Sequence, residues 1–300
     1  MTRIAGAEAP KIPRHLSETA ARVDRGDVRE WVATLPEVVA DLAERWALHV
    51  GKPYEPGGQC SWVAPARTVA GEDLVLKVGW RHPEAAHEAD ALRVWRGNGA
   101  VWLHAAETFD RTSALLLERC APGMPMGRST PEPEQDVVVA GLLARLWTQP
   151  PAGHPFRPLQ AMCEDWAAEF EERFARSAGG VDPGLARAAM VLFRELPRSA
   201  DSAVLLCTDL HAAGNVLAAQ REPWLVIDPK PYVGDRTYDA LQHMLNCEER
   251  LVCDPSGFAQ RMAALLDLDA ERLRLWLFAR CLLECLDQPV LHEVAARLAP

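Results

Sequence analysis

The apolar positions of this chain change their spacing several times, and each change marks a different element. Between Val28 and Val50 they recur every three or four residues, the period of a helix with one buried face, and Pro36 near the middle divides the run into two short amphipathic helices. From Gly57 the pattern shifts to alternation and β-rich runs broken at Gly71-Glu72-Asp73, which predicts a hairpin from about Cys60 to Trp80. Residues 81–99 return to helical spacing, with Pro83 in the first turn and glycine at the end. Segments 101–107 and 113–119 read as two more strands, so the first part holds a small antiparallel sheet.

A Pro/Gly-rich stretch at 121–127 closes that part, and the period after it is helical over about 132–148, 158–177, 183–196, 238–246, 256–266 and, in pieces, 268–298. In the first of these Val139, Leu142, Leu143 and Leu146 form one buried stripe. Short strands interrupt the helices only over 203–228. The pattern predicts an α+β chain of two lobes: a smaller β-rich one over 1–120, with leading helices, and a larger, mainly helical one over 121–300.

Composition narrows the function classes. With 49% apolar and 25% charged residues the 300-residue chain is globular rather than disordered or fibrous. No segment reaches the roughly 20 uninterrupted apolar residues of a membrane span, and the first residues lack the apolar core of a signal peptide. A cytoplasmic protein is expected, with no membrane partner. The net charge of −10 disfavours nucleic acid and leaves room for a cationic small molecule. The eight cysteines show no CxxC pair, so buried free thiols are expected, the Cys281/Cys285 pair included.

The candidate chemistry sits where charge meets an apolar run. Asp209 and Asp228 each end one, and a carboxylate there must cap a turn, pair with a cation or hold a metal. Asn215 lies between them as a neutral oxygen donor. Asp, Asn and a second Asp after a strand is the set used to position a hydroxyl and hold magnesium beneath a nucleotide. In the first lobe, Lys77 shares a strand face with Val75, opposite Leu74, Leu76 and Val78. Glu88 falls on the apolar stripe of the next helix with Ala85, Leu92 and Trp95, so it requires a cation, and Lys77 is the nearest in sequence. Glu84, one turn earlier, is the alternative partner.

From Trp31 to the last helix the chain resembles the aminoglycoside phosphotransferase family of kinase-like fold, in its streptomycin 6-kinase and hydroxyurea phosphotransferase branch. Residues 208–239 (TDLHAAGNVLAAQREPWLVIDPKPYVGDRTYD) carry the resemblance, together with LKVGWRHPEAAHEADALRVW at 76–95. It implies ATP and Mg²⁺ as cofactors, Asp209 as catalytic base, and Asn215 and Asp228 as metal ligands. Lys77 is implied as a phosphate contact positioned by Glu88, with Gly57, Gly58 and Ser61 as a loop over the phosphates. Backbone groups of Glu118, Arg119 and Cys120 are implied at the adenine. Asp235 and Asp239 are expected to fix loops rather than touch substrate. The sequence departs from the pattern at the catalytic loop: kinase-like loops usually space base and asparagine by five residues, whereas Asp209 and Asn215 are six apart.

The activity expected is ATP-dependent phosphorylation of a hydroxyl on a small, cationic molecule such as streptomycin, by a monomer or dimer. A hydroxyurea or sugar kinase, or a catalytically impaired nucleotide-binding protein, are the alternatives. For the acceptor, the acidic face of the 158–177 helix offers Asp165 and Glu169, and Glu248 and Glu249 are further candidates, as are Glu284 and Asp287.

Overall fold

The computed structural model describes residues 10–22, 25–177 and 180–300. They divide into two compact units, one running to Gly97 and adding Val101–Arg119, the other taking Asn98–Ala100 and Cys120–Pro300.

The first unit is built on five antiparallel strands in the order β1-β2-β3-β5-β4: β1 (Leu48–Val50), β2 (Ser61–Thr68), β3 (Asp73–Trp80), β4 (Leu103–Phe109) and β5 (Thr112–Glu118). Two helices, α1 (Arg14–Ala21) and α2 (Gly26–Arg45), contribute Leu16, Val28, Trp31, Leu35, Val39 and Leu42 to one core with Trp62, Ala64, Leu74, Leu76 and Val78 of the sheet. The alternation read from the sequence therefore holds, with Leu74, Leu76 and Val78 facing the core. The break expected at Pro36 does not occur, and α2 runs through it. An interior proline costs a helix about 3 kcal/mol. Here the buried stripe continues on both sides of it, and burial against the sheet outweighs that cost.

The helix expected over 81–99 is shorter than its pattern. Pro83–Ala85 form a 3-10 turn, and α3 covers only Glu88–Trp95 before Arg96 turns left-handed at φ +48°. Five short elements are absent from the sequence reading: α1 and β1 here and, in the second unit, β6 (Arg157–Pro158), β10 (Tyr232–Gly234) and α8 (Glu248–Cys253).

The second unit contains α4 (Glu132–Leu146), β6 (Arg157–Pro158), α5 (Leu159–Arg176), α6 (Pro183–Glu195), β7 (Val204–Leu206), β8 (Val216–Ala218), β9 (Trp224–Val226) and β10 (Tyr232–Gly234). There follow α7 (Leu241–Leu245), α8 (Glu248–Cys253), α9 (Pro255–Leu266), α10 (Ala270–Glu284) and α11 (Val290–Leu298). α10 is its central post, burying Leu273, Trp276, Leu277, Phe278 and Cys281. Trp276 meets Phe193 and Tyr238 edge-on at 5.8 and 5.0 Å, which locks α6 and the turn before α7 to it. The architecture is α+β, as expected, and among the described residues no helix is long and apolar enough to cross a membrane.

None of the eight cysteines forms a disulfide, and Cys281 and Cys285 are buried. Burial pushes their thiols up to about 12 and about 11, so both behave as core side chains.

Candidate active site

In the first unit the expected partner of Lys77 is Glu88. The ammonium donates to both carboxylate oxygens, at 2.7 and 2.6 Å, and the two residues are only 8% and 4% exposed. β3 is the middle strand and places Lys77 between Val63 and Leu115 on the face away from Leu76. α3 begins at Glu88, so the carboxylate lies in its first turn, where the helix dipole favours negative charge.

The glycine loop precedes β2. Gly57 has φ +77°, and a side chain there would lie 2.4 Å from Pro13 Cβ; Gly58 leaves room for Ser61 Oγ, 2.9 Å from where its Cβ would be. The segment before α2 braces this loop: His15 donates its backbone N–H to Pro56 O and its Nδ1–H to Gly57 O, both at 3.0 Å. Glu118, at the end of β5, accepts the Trp102 N–H at 3.0 Å and donates its own N–H to Trp102 O at 2.8 Å. Arg119 and Cys120 follow as irregular chain.

In the second unit β7 delivers the chain into a tight turn at Cys207-Thr208-Asp209, closed by Asp209 N–H on Cys207 O at 2.8 Å. Thr208 has φ +51°, an outlier for a β-branched residue. The buried carboxylate of Asp239 holds that conformation, accepting the N–H groups of Cys207 (3.0 Å) and Thr208 (2.5 Å) and the Trp147 indole N–H (3.0 Å). Burial pushes Asp239 up to about 6 against the pull of those three donors. Asp235 is likewise a loop-fixing group, accepting from Thr237 N, Arg272 Nε and Trp276 Nε1.

The six-residue spacing closes as one helical turn, with Asn215 N–H on His211 O at 3.1 Å and the Ala212 carbonyl accepting from Gly127 N–H at 2.9 Å. The extra residue is absorbed there. Asn215 still reaches back, its Nδ2 donating to Asp209 O at 2.8 Å and to Asp209 Oδ2 at 3.1 Å. β8 and β9 pair Val216 with Val226, which sets Asn215 opposite Ile227 and brings Asp228 next to it. Lys230 ties this hairpin back to the turn: its N–H donates to Cys207 O at 2.9 Å, its carbonyl accepts from Thr208 Oγ1 at 2.5 Å, and its Nζ lies 2.5 Å from Asp228 Oδ1.

Asp209, Asn215 and Asp228 therefore converge within one unit. Asn215 Oδ1 receives no hydrogen bond among the described residues, and with the Asp228 carboxylate it offers hard oxygen donors. That set suits Mg²⁺, which uses few protein ligands and completes its shell with phosphate and water. Among the described residues no group of three or more His, Cys, Asp or Glu side chains is placed to cage a metal.

The acceptor candidates scatter. Asp165 is ion-paired with Arg157 at 2.9 Å, and Glu248 and Glu249 stand exposed in the first turn of α8. Glu169 lines a cleft with Trp166, Phe170, Arg173, Glu284 and Asp287, which joins α5 to the end of α10. Missing from the sequence reading is the network beside the 209–215 loop. Asp136, fully buried, accepts from His243 Nε2, both Arg250 amino groups and Arg261 Nε. Burial pushes its carboxyl up, but those donors outweigh it and hold the group well below the usual carboxylate range. Nearby His211 is driven down to about 4, chiefly by burial and then by His243, so it is neutral at pH 7.

A family profile described as aminoglycoside/hydroxyurea antibiotic resistance kinase matches residues 45–286. The chain belongs to that family. It is 35% identical to a hydroxyurea phosphotransferase of Kitasatospora aureofaciens over 95% of this chain and 82% of the relative. A streptomycin 6-kinase of Streptomyces glaucescens is 31% identical over 91% and 89% of the two chains. Among solved structures, the fold matches a macrolide 2'-phosphotransferase of Brachybacterium faecium at TM-score 0.54 and 18% identity, over 88% of this chain and 97% of that one. It also matches an aminoglycoside phosphotransferase of Streptomyces rimosus, solved with ADP and streptomycin, at TM-score 0.52 and 15% identity over 83% and 98%. The protein is thus a phosphotransferase of this kinase family, with the kinase-like fold.

Proposed function

We propose that this kinase transfers the γ-phosphoryl group of ATP to a hydroxyl of a small cationic acceptor of the aminoglycoside class, with streptomycin as the first candidate. The observation that carries this reading is the Asp209–Asn215 pair, hydrogen-bonded across the lengthened loop and set beside Asp228 by the β8–β9 hairpin. Asp209 orients the acceptor hydroxyl and takes its proton as the bond to phosphorus forms. The Asn215 amide fixes the rotamer of that carboxylate, so the hydroxyl meets one geometry. Asp228 and Asn215 would hold Mg²⁺, which when bound neutralises charge on the transferring phosphates.

Lys77, fixed by both oxygens of Glu88, takes the α- and β-phosphates, and the backbone of Gly57, Gly58 and Ser61 covers them. Glu118, Arg119 and Cys120 offer their backbone to the adenine. For the acceptor, Glu169 is the candidate carboxylate of the cleft beside Trp166, since Asp287 there is ion-paired with Arg173 and Glu284 with Arg280, which also lies over the Trp166 ring. The catalytically impaired alternative loses its main support, because the extra loop residue leaves the Asp209–Asn215 contact intact.

The test is a panel of hydroxyl-bearing acceptors incubated with labelled ATP and Mg²⁺, with products weighed by mass spectrometry. Streptomycin should gain one phosphoryl group, and Asp209→Asn should abolish the gain while nucleotide still binds. Phosphorylation of hydroxyurea alone would move the acceptor class to that of the Kitasatospora relative. Label transfer to no acceptor by a nucleotide-binding protein would overturn the reading.

A further inference from the structure

Asp228 already has a cation. Lys230 Nζ lies 2.5 Å from its Oδ1, and the lysine side chain is only 19% exposed. The pair is built into the turn. The lysine backbone is held on both sides by the catalytic turn, through Cys207 O and Thr208 Oγ1, so its Cα cannot withdraw without opening the turn that aims Asp209. Asp228 itself has φ +50°, a strained backbone for a residue with a side chain, and this sets the direction of its carboxylate.

We propose that the Lys230 ammonium takes the place of one of the two divalent cations that protein-kinase sites gather on the corresponding Asp and Asn, so that Asp228 and Asn215 load a single Mg²⁺ with the nucleotide. This rests on the phosphotransfer reading above. A compact ammonium in contact with one carboxylate oxygen repels a second dication from the same carboxylate. Asn215 adds to the restriction. Its amide nitrogen is committed to Asp209, so its side chain offers a metal one oxygen and no second arrangement. Lys230 is thereby a positioning residue for the metal and a fixed positive charge beside the transferring phosphates.

The experiment counts metal ions. Protein saturated with a non-hydrolysable ATP analogue is titrated with Mn²⁺, and free Mn²⁺ is read by electron paramagnetic resonance. One ion per chain is expected for the wild type and for Lys230→Arg, which keeps the charge, and two for Lys230→Met. Two ions in the wild type, or one in Lys230→Met, would overturn the proposal while leaving phosphotransfer standing. Absence of any nucleotide-dependent Mn²⁺ binding would overturn both. The wild-type count decides by itself if Lys230→Met does not fold, and calorimetric melting of each variant reports that directly.

Discussion

Asp239 Oδ1 accepts the backbone N–H of Thr208 at 2.5 Å, at the residue that immediately precedes Asp209 and is held at φ +51°. A threonine in the left-handed region costs of order 1–3 kcal/mol unless its surroundings enforce it, and here one buried carboxylate does so with three N–H donors.

Asp239→Asn should therefore let the turn relax. The amide has one accepting oxygen, so at least one of the Cys207, Thr208 and Trp147 donors loses its partner. We expect kcat to fall about 100-fold with a smaller change in nucleotide affinity, measured by steady-state kinetics and nucleotide titration. The same carboxyl gives a pH signature. Its folded value near 6 lies above the ordinary carboxylate value, so the folded state binds the proton more tightly and this group's contribution to stability declines as pH rises from about 4 to about 6. The stability of the wild type relative to Asp239→Asn should drop by about 3 kcal/mol across that window in urea denaturation.

The Lys77–Glu88 pair is buried on both sides, so removing either partner takes a contacting counter-charge from a group shielded from water. Lys77→Met and Glu88→Met should each cost about 3–5 kcal/mol. The double substitution should cost clearly less than the sum, because the interaction between the two is lost only once. Equal additivity in denaturant melts would argue that the pair is not coupled.

Gly127 accommodates the extra residue of the 209–215 loop. A Cβ at Gly127 would lie 3.2 Å from both Ala212 O and Ala213 Cα, tight enough to push the loop toward Asn215. Gly127→Ala should lower kcat about tenfold while the melting temperature hardly moves. Deleting Ala213 should lower turnover too, since it removes the turn that returns Asn215 to Asp209; a faster enzyme would show that the loop is strained rather than fitted.

Asp136 supplies the opposite pH dependence to Asp239. Its folded value is depressed, so its stabilisation is complete above the ordinary carboxylate range and disappears as pH falls through and below about 4. Asp136→Asn should destabilise by about 3–5 kcal/mol at pH 7, by leaving Arg250 and Arg261 without their shared anion. The gap to the wild type should close on acidification, as thermal melts at pH 7, 5 and 3 would record.

What the sequence made legible follows from cost. Glu88 was placed opposite Lys77 because a carboxylate on an apolar stripe demands a cation, and Asp209, Asn215 and Asp228 stood out because two of them end apolar runs. Lys230 was visible in Asp-Pro-Lys, but nothing local says that its backbone is bonded to Cys207. The Asp136 network was illegible because its partners lie 107, 114 and 125 residues away and each is an ordinary surface-type residue in its own helix. β1 is three residues long and exists only through pairing with β2. α8 has six residues and a single buried one, too little for a period to show. The helix break expected at Pro36 failed because local propensity was outweighed by packing that only the sheet supplies.

The family match begins at residue 45, yet the glycine loop at 57–58 is gripped by Pro13 and His15, some thirty residues upstream of that boundary. The stiffness of the loop is therefore inherited from a segment that the shared motifs do not cover. Substitutions in that segment would loosen the loop while every residue that the family profile matches stays unchanged.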